Sequence, residues 1–496
     1  NTVTVSFNTA SVSGGGIYNA STATVTGGTF TGNNATNGGA LYNAAGANLT
    51  VSGSATFGGS AVNANKAANG GAIYNAGELN LDTVTVSFNS ATTAGGGLYN
   101  TGNMTLVATT IASNTVTGID GMGGGIYNEG SVTMTAGSIT ANTALNGKGG
   151  GIYNEGELLF DVDSANAGTN VSGNKAQDGA GLYLAAGTVS FNNVSVKDNV
   201  ATGMGGAVYS SIDLDLNDAN ITITGNKALT GGAIYTTAGL TLSNITVSGN
   251  TATNGILALG TGGSLQLTGG SNVKLTGNTA TNGLVYLDGG EFTLDFGTGD
   301  TVTNDFSGNT VVNGGFLYLN SGYAEVAATA GTTGKYLSGF TVTGKGGLFY
   351  VNGGTLLVEN MALTNNTAAD GSVLYVAGGT AKIGNSTLAL NKGVGATVTI
   401  VGGTLHLECV TVGLNETIGL RYKDGTLTAN FTLIAGNTKA NLDGIEALNG
   451  DANVAGNKLD GAKIFVAAGF DQETGTIALR KAWDNPAAAV DAGGAI

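Results

Sequence analysis

Positive charge, cysteine, proline and long apolar runs are all scarce in this sequence, and each scarcity removes a class of protein. Only 17 lysines and arginines stand against 32 acidic residues over 496 positions, and Arg421 and Arg480 are the sole arginines. Phosphate backbones and anionic membrane surfaces are held by clustered lysine and arginine, so neither nucleic acid nor acidic lipid is an expected partner. The single cysteine, Cys409, cannot form an internal disulfide. One proline excludes collagen, and charged residues at 10% argue against a disordered chain. No apolar stretch reaches the roughly 18 residues of a helical membrane span. The chain opens inside a strand-like segment, Asn1–Asn8, and stops inside a recurring motif, Gly493–Ile496. Both ends are therefore expected to be cut from something longer.

What is abundant is glycine, 88 residues of it, set in a repeat. Gly-Gly-Ala/Gly-aliphatic-Tyr occurs as Gly14–Tyr18, Gly38–Tyr42, Gly70–Tyr74 and Gly231–Tyr235. The tyrosine slot is filled at Tyr18, Tyr42, Tyr74, Tyr99, Tyr127, Tyr153, Tyr183, Tyr209, Tyr235, Tyr286, Tyr318, Tyr350 and Tyr375, and by Ala258 and Thr399 in two further coils. About nine residues earlier stands an asparagine, as in Thr-Gly-Asn226, Ser-Gly-Asn250, Thr-Gly-Asn278 and Ser-Gly-Asn309. Between tyrosine and asparagine lie two short alternating runs, such as Leu79-Asn80-Leu81 and Val84-Thr85-Val86 around an Asp82-Thr83 corner. Period-two alternation over so few residues indicates half-buried strands, and such a unit buries its apolar face only by stacking.

The expected fold is all-β: a right-handed parallel β-helix of roughly 18 coils of about 23–32 residues, with three short strands per coil. Residues 1–440 read as regular coils. Residues 441–496 lose the tyrosine marker, hold Trp483 and Pro486, and read as less regular terminal coils or a cap. The residue before each tyrosine is always large and apolar, so that series is placed in the core and the tyrosines outside. From about residue 256 the marker strand gains apolar residues, Leu284, Phe316, Leu348 and Val373 before it and Leu287, Leu319, Val351 and Val376 after it. That pattern predicts a strand apolar on both faces, either covered or an interaction patch.

Gly-Gly-Ala-aliphatic together with Phe-x-x-Asn, present as Phe30-Thr-Gly-Asn33 and Phe306-Ser-Gly-Asn309, resembles the repeat of the chlamydial polymorphic outer membrane proteins. The resemblance implies an exported β-helical passenger acting in adhesion at a bacterial surface. No carboxy-terminal membrane barrel accompanies it in this sequence.

Other β-helical proteins cleave polysaccharides, which needs a positioned base or paired acids. His406, the only histidine, sits at an outward strand position, and Cys409 falls at the corner that Thr83 or Asn244 fills elsewhere. Neither arginine lies in an evident acidic cluster. No catalytic residue and no cofactor are therefore expected. Calcium is the one candidate ion, at Asp213, Asp215 and Asp218 or at Asp295, Asp300 and Asp305. Thr-x-Thr pairs such as Thr222/Thr224 are not continued over many coils, which argues against an ice-binding array.

Longer turns are expected at 161–170, 295–305 and 323–340. Recognition on a solenoid concentrates in such places. The candidate contact surface is thus the first nine ladder tyrosines, Tyr18 to Tyr235, with Phe292, Phe296, Tyr323, Tyr336 and Phe340 as a lip within 290–350. The expected function is a non-catalytic extracellular adhesin or passenger, its partner a glycan or protein of a host or neighbouring cell. A self-assembling sheath or surface layer, with copies of itself as partner, is the alternative. A polysaccharide lyase or hydrolase is the second.

Overall fold

The computed structural model of the chain describes residues 3–161, 168–217, 220–297, 303–330, 335–430, 432–443, 464–471 and 476–481, and among these there is no helix. The chain divides into two compact units, Asn1–Thr253 and Asn254–Ile496. Each is a β-solenoid, and among the described residues the turns number about sixteen, close to the roughly eighteen expected.

The coil that starts at Ile73 shows how sequence becomes shape. Its strands are Ile73–Asn75, Glu78–Asp82, Thr85–Ser87 and Ser90–Ala94. Thr83 turns the corner between the second and third with φ of 58°, and Gly95 closes the coil with φ of 62°. The next coil repeats it in parallel register, with Ile73 beside Leu98, Leu81 beside Leu106, Val86 beside Ile111 and Ala91 beside Val116. Chemically alike residues therefore stack in columns, and each apolar column is dry. Leu41, Ile73, Leu98, Ile126 and Ile152 are all fully buried, each contributing about 1.5–3 kcal/mol.

This coil has four short strands, whereas the next has the expected three, Leu98–Asn100, Asn103–Ala112 and Thr115–Val116, the middle two being merged. The strand not read from the sequence, between the asparagine and the double glycine, buries mostly alanine, such as Ala91, Ala144, Ala176 or Ala201. Alternation of that kind is invisible in composition.

The double glycine has two separate reasons. Gly70 needs its left-handed φ of 65° to turn the chain. Gly71 has no such need, but a Cβ there would strike the carbonyl oxygen of Gly96 in the next coil.

Two asparagine columns run through the interior. Asn33, Asn65, Asn89, Asn114, Asn142, Asn174, Asn199, Asn226 and Asn250 are buried. Within the column each donates its Nδ2 to the Oδ1 of the next, as from Asn114 to Asn142 at 3.0 Å and from Asn142 to Asn174 at 3.1 Å. The residues after the first six tyrosines form the second column, Asn19 to Asn154, with Asn43 donating to Asn75 at 2.8 Å. A buried amide would cost several kcal/mol unpaired, and here each finds partners in the flanking coils.

In the second unit the apolar residues around the tyrosine slot correct the expectation of a two-faced apolar strand. Leu284, Phe316, Leu348 and Val373 are wholly buried, and so are Leu287, Leu319, Val351 and Val376. The position two before tyrosine belongs to the turn, so its side chain enters the core instead of alternating outward. It makes no interaction patch.

Leu317–Ala328 is one continuous strand of 12 residues, paired with Val285–Phe296 and with Thr355–Glu359. The long turn expected at 323–340 therefore starts only after Ala328, and that expected from 295 only after Phe296. Beyond Asp443 the described residues are Ile464–Asp471, parallel to Thr432–Ala435, and Thr476–Lys481, antiparallel to it. Trp483 and Pro486 lie outside the described residues, as do 162–167 of the turn expected at 161–170.

Candidate binding surface

Parallel register places every ladder tyrosine of the first unit over its neighbour. From Tyr18 through Tyr42, Tyr74, Tyr99, Tyr127, Tyr153, Tyr183 and Tyr209 to Tyr235 the rings stack with centroids 4.4–5.3 Å apart. That is the spacing of adjacent strands. The aliphatic neighbours point in and the rings point out. Their exposure varies, however. Tyr18 is 56% exposed, whereas Tyr127, Tyr153 and Tyr183 are buried beneath Ala94, Met122 and Ala185. These three offer no open ring to a ligand.

Two glutamates close the middle of this ladder. Tyr99 and Tyr127 donate to Glu129 at 3.0 and 2.8 Å, while Tyr127 also lies 2.9 Å from Glu155 and Tyr153 donates to Glu155 at 3.0 Å. Burial first, and then the two carboxylates, hold all three phenols well above the ordinary tyrosine value. The neutral hydroxyl is what the carboxylates need.

The second unit carries its own ladder: Tyr286, Tyr318, Tyr350 and Tyr375 stack at 4.6–5.6 Å. Ala258 pairs with Tyr286 at its start, as its slot required. Beyond Tyr375 the register continues through Thr399, Arg421 and Asp443. Arg421 is not isolated. Its guanidinium meets Asp370 at 3.1 Å and Asp443 at 2.7 Å, and Asp370 also accepts from the Thr399 hydroxyl and the Ala396 N–H. Asp370 stands 51 residues before Arg421, so only stacking brings them together.

The lip residues separate into interior and surface. Phe292 and Phe296 are buried, at 0% and 1% exposure, because they occupy inward positions of the strand Val285–Phe296. Phe292 is thereby removed from any contact surface. Tyr323 donates to Glu325 at 2.8 Å and, chiefly through burial, its phenol is pushed up to about 12. Tyr336 is 52% exposed and Phe340 is half-buried.

Tyr336, Phe340 and Phe296 come together around an open cavity of about 540 Å³, completed by Phe306, Leu337, Asn304, Asp305, Ser307 and Asn309. Phe306 packs on buried Phe316 at 5.1 Å, and Phe340 meets Phe316 edge-on at 5.9 Å. Sequence reading placed Phe306 in the repeat motif but not in the lip. The available signal was Phe340, since Ser338-Gly339-Phe340 stands where other coils have Ser-Gly-Asn.

Among the calcium candidates, Asp213 and Asp215 lie exposed on one outward face, and Asp213 accepts from the Gly239 N–H at 2.8 Å. Asp295 sits in a strand beside Ala327, and Asp305 accepts from the Ser307 N–H at 2.9 Å. Asp218 and Asp300 lie outside the described residues. Among the described residues no three histidine, cysteine or carboxylate groups converge. His406 stacks in register between Lys382 and Thr428, and burial together with Lys382 lowers its pKa. Cys409 is exposed at a corner with φ of 54°, as Thr83 and Asn244 are at theirs.

One outward column keeps its hydroxyls in register. Thr29, Thr56, Thr85 and Thr110 continue in register to Ser138, and further on Ser195, Thr222 and Thr246 follow one another. Its partner column two residues along is broken by Gly58, Ala112 and Lys197. Hydroxyls thus run on over many coils, as one column and not as a regular pair.

Residues 220–237 match the Chlamydia polymorphic membrane protein repeat. No curated protein and no solved structure is similar to the chain at a significant level. The matched segment holds Asn226, Ala233 and Ile234, all buried, and Gly231 with φ of 66°.

Proposed function

We propose that the chain is a non-catalytic bacterial surface protein whose outer faces make contact with a glycan or protein of another cell. What supports this reading most is the division of labour within the matched repeat. Apart from the outward ladder tyrosine, its recurring residues face inward or turn the chain, so the remaining outer positions are released from folding. One outward column runs Thr24, Thr50, Asn80, Thr105, Thr133 and Leu159, so asparagine and leucine replace threonine there without disturbing the parallel register. A scaffold of this kind serves display.

The contact needs no cofactor in this reading. Fluorescent beads coated with the purified chain should adhere to cells at extracellular ionic conditions, and chelation of calcium should change neither adhesion nor the melting temperature. Beads that stay unbound while the free chain grows into sheets or filaments would favour the structural envelope reading. Release of reducing or unsaturated sugar from a polysaccharide panel would favour the enzyme.

A further inference from the structure

We infer that the break in the asparagine column at Phe340 opens the wall of the second unit into a binding site for a neutral hexopyranose unit of a glycan. The inference deepens the surface-contact reading and rests on it.

The break is local and has a cause. Asn278 donates to Asn309 at 3.1 Å, and the column resumes with Asn366 donating to Asn391 and Asn391 to Asn415. Phe340 occupies the slot between. Its own N–H still reaches the Asn366 Oδ1 at 3.1 Å, so the coil is in register. It offers no amide oxygen, however, where each earlier coil receives the N–H of the preceding asparagine.

The wall parts at the same place. Lys274 still bridges Asp305 one coil on, whereas Tyr336–Ser338, in the coil after that, belongs to another sheet that it begins by pairing with Ala362–Thr364. On either side the coils are joined: Val311 bridges Val342, and Val285–Phe296 runs along Leu317–Ala328. What separates is therefore a wedge in one wall.

The wedge carries the chemistry of sugar recognition. A pyranose presents a face of C–H groups and an edge of hydroxyls. Half-buried Phe306 and Phe340, with exposed Tyr336, supply aromatic surface for the face. Asp305, Ser307 and Asn309 line the same space and bring a carboxylate, a hydroxyl and an amide that suit the edge. Like any aspartate, Asp305 is an acceptor at neutral pH, and hydrogen bonding to Ser307 holds its pKa below the ordinary value. About 540 Å³ lies within the range of small-ligand sites and accommodates one or two sugar rings. A net charge of −15 disfavours anionic sugars.

The test is binding of neutral hexoses and their short oligomers to the full chain, read by calorimetry and by saturation-transfer NMR at millimolar sugar. Phe340→Asn should restore the column, close the wedge and weaken binding by at least about tenfold, or 1.4 kcal/mol. Tyr336→Ala, at an exposed position, should weaken it as well. No binding of any neutral sugar, or equal binding by wild type and Tyr336→Ala, would overturn the inference. So would binding of quaternary ammonium probes in preference to sugars. Cell adhesion separates the two proposals. Adhesion without sugar binding refutes the wedge site and leaves the surface reading standing. Sugar binding without adhesion does the reverse.

Discussion

Asn142 donates through Nδ2 to the carbonyl of Ile111 and to the Oδ1 of Asn174, and its own Oδ1 receives the backbone N–H and the Nδ2 of Asn114. One side chain thus satisfies groups in the coils on both sides of it. Asn142→Ala would strand several buried donors and acceptors, at a cost of about 3 kcal/mol or more. Loss of chemical stability, with faster hydrogen exchange at Asn114 and Thr143, is the expected result. Asn142→Leu should do no better, because it fills the volume without meeting the polar groups.

At the scale of the element, glycines that look alike in the sequence carry different loads. Gly96 has a Cβ direction that runs into the carbonyl oxygen of Gly124 in the next coil, whereas Gly46, with φ of 76°, has nothing within 4 Å of that position. Gly96→Ala must push two backbones apart, at about 3 kcal/mol, while Gly46→Ala meets only left-handed strain of about 1 kcal/mol. Denaturation of the two variants side by side measures the difference. Equal losses would mean that coil contact is not what fixes the second glycine of the pair.

For the whole molecule the tyrosine ladders of both units set the response to alkali. Burial and the neighbouring ladder phenols push Tyr318 up to about 12, against 10.0 for an ordinary tyrosine. Tyr99, Tyr127 and Tyr153 are raised too, by burial and by Glu129 and Glu155. A raised folded value means that the folded state holds the proton more tightly. The stability is fully present below the unfolded pKa and is lost as pH rises through the folded one. The melting temperature should therefore be flat up to about pH 9 and fall steeply between about 10 and 12. Tyrosinate absorbance should lag behind that of the unfolded chain over the same window. The net charge of −15 acts in the same direction, since each phenolate adds to it.

Periodicity alone determined the all-β solenoid, the inward aliphatic series, the outward tyrosines and the left-handed corner at Cys409, because each follows from one residue type recurring at one place in a stacked unit. It also held the substitution of Phe340 for asparagine. What that substitution does, opening a wall beside Phe306 and Tyr336, was decided by the tertiary structure. So were the burial of Phe292, the covering of Tyr127 and Tyr153, and the meeting of Arg421 with Asp370. Repetition specifies which residues share a column. It is silent on what leans across from a neighbouring turn, since those contacts join residues that no period relates.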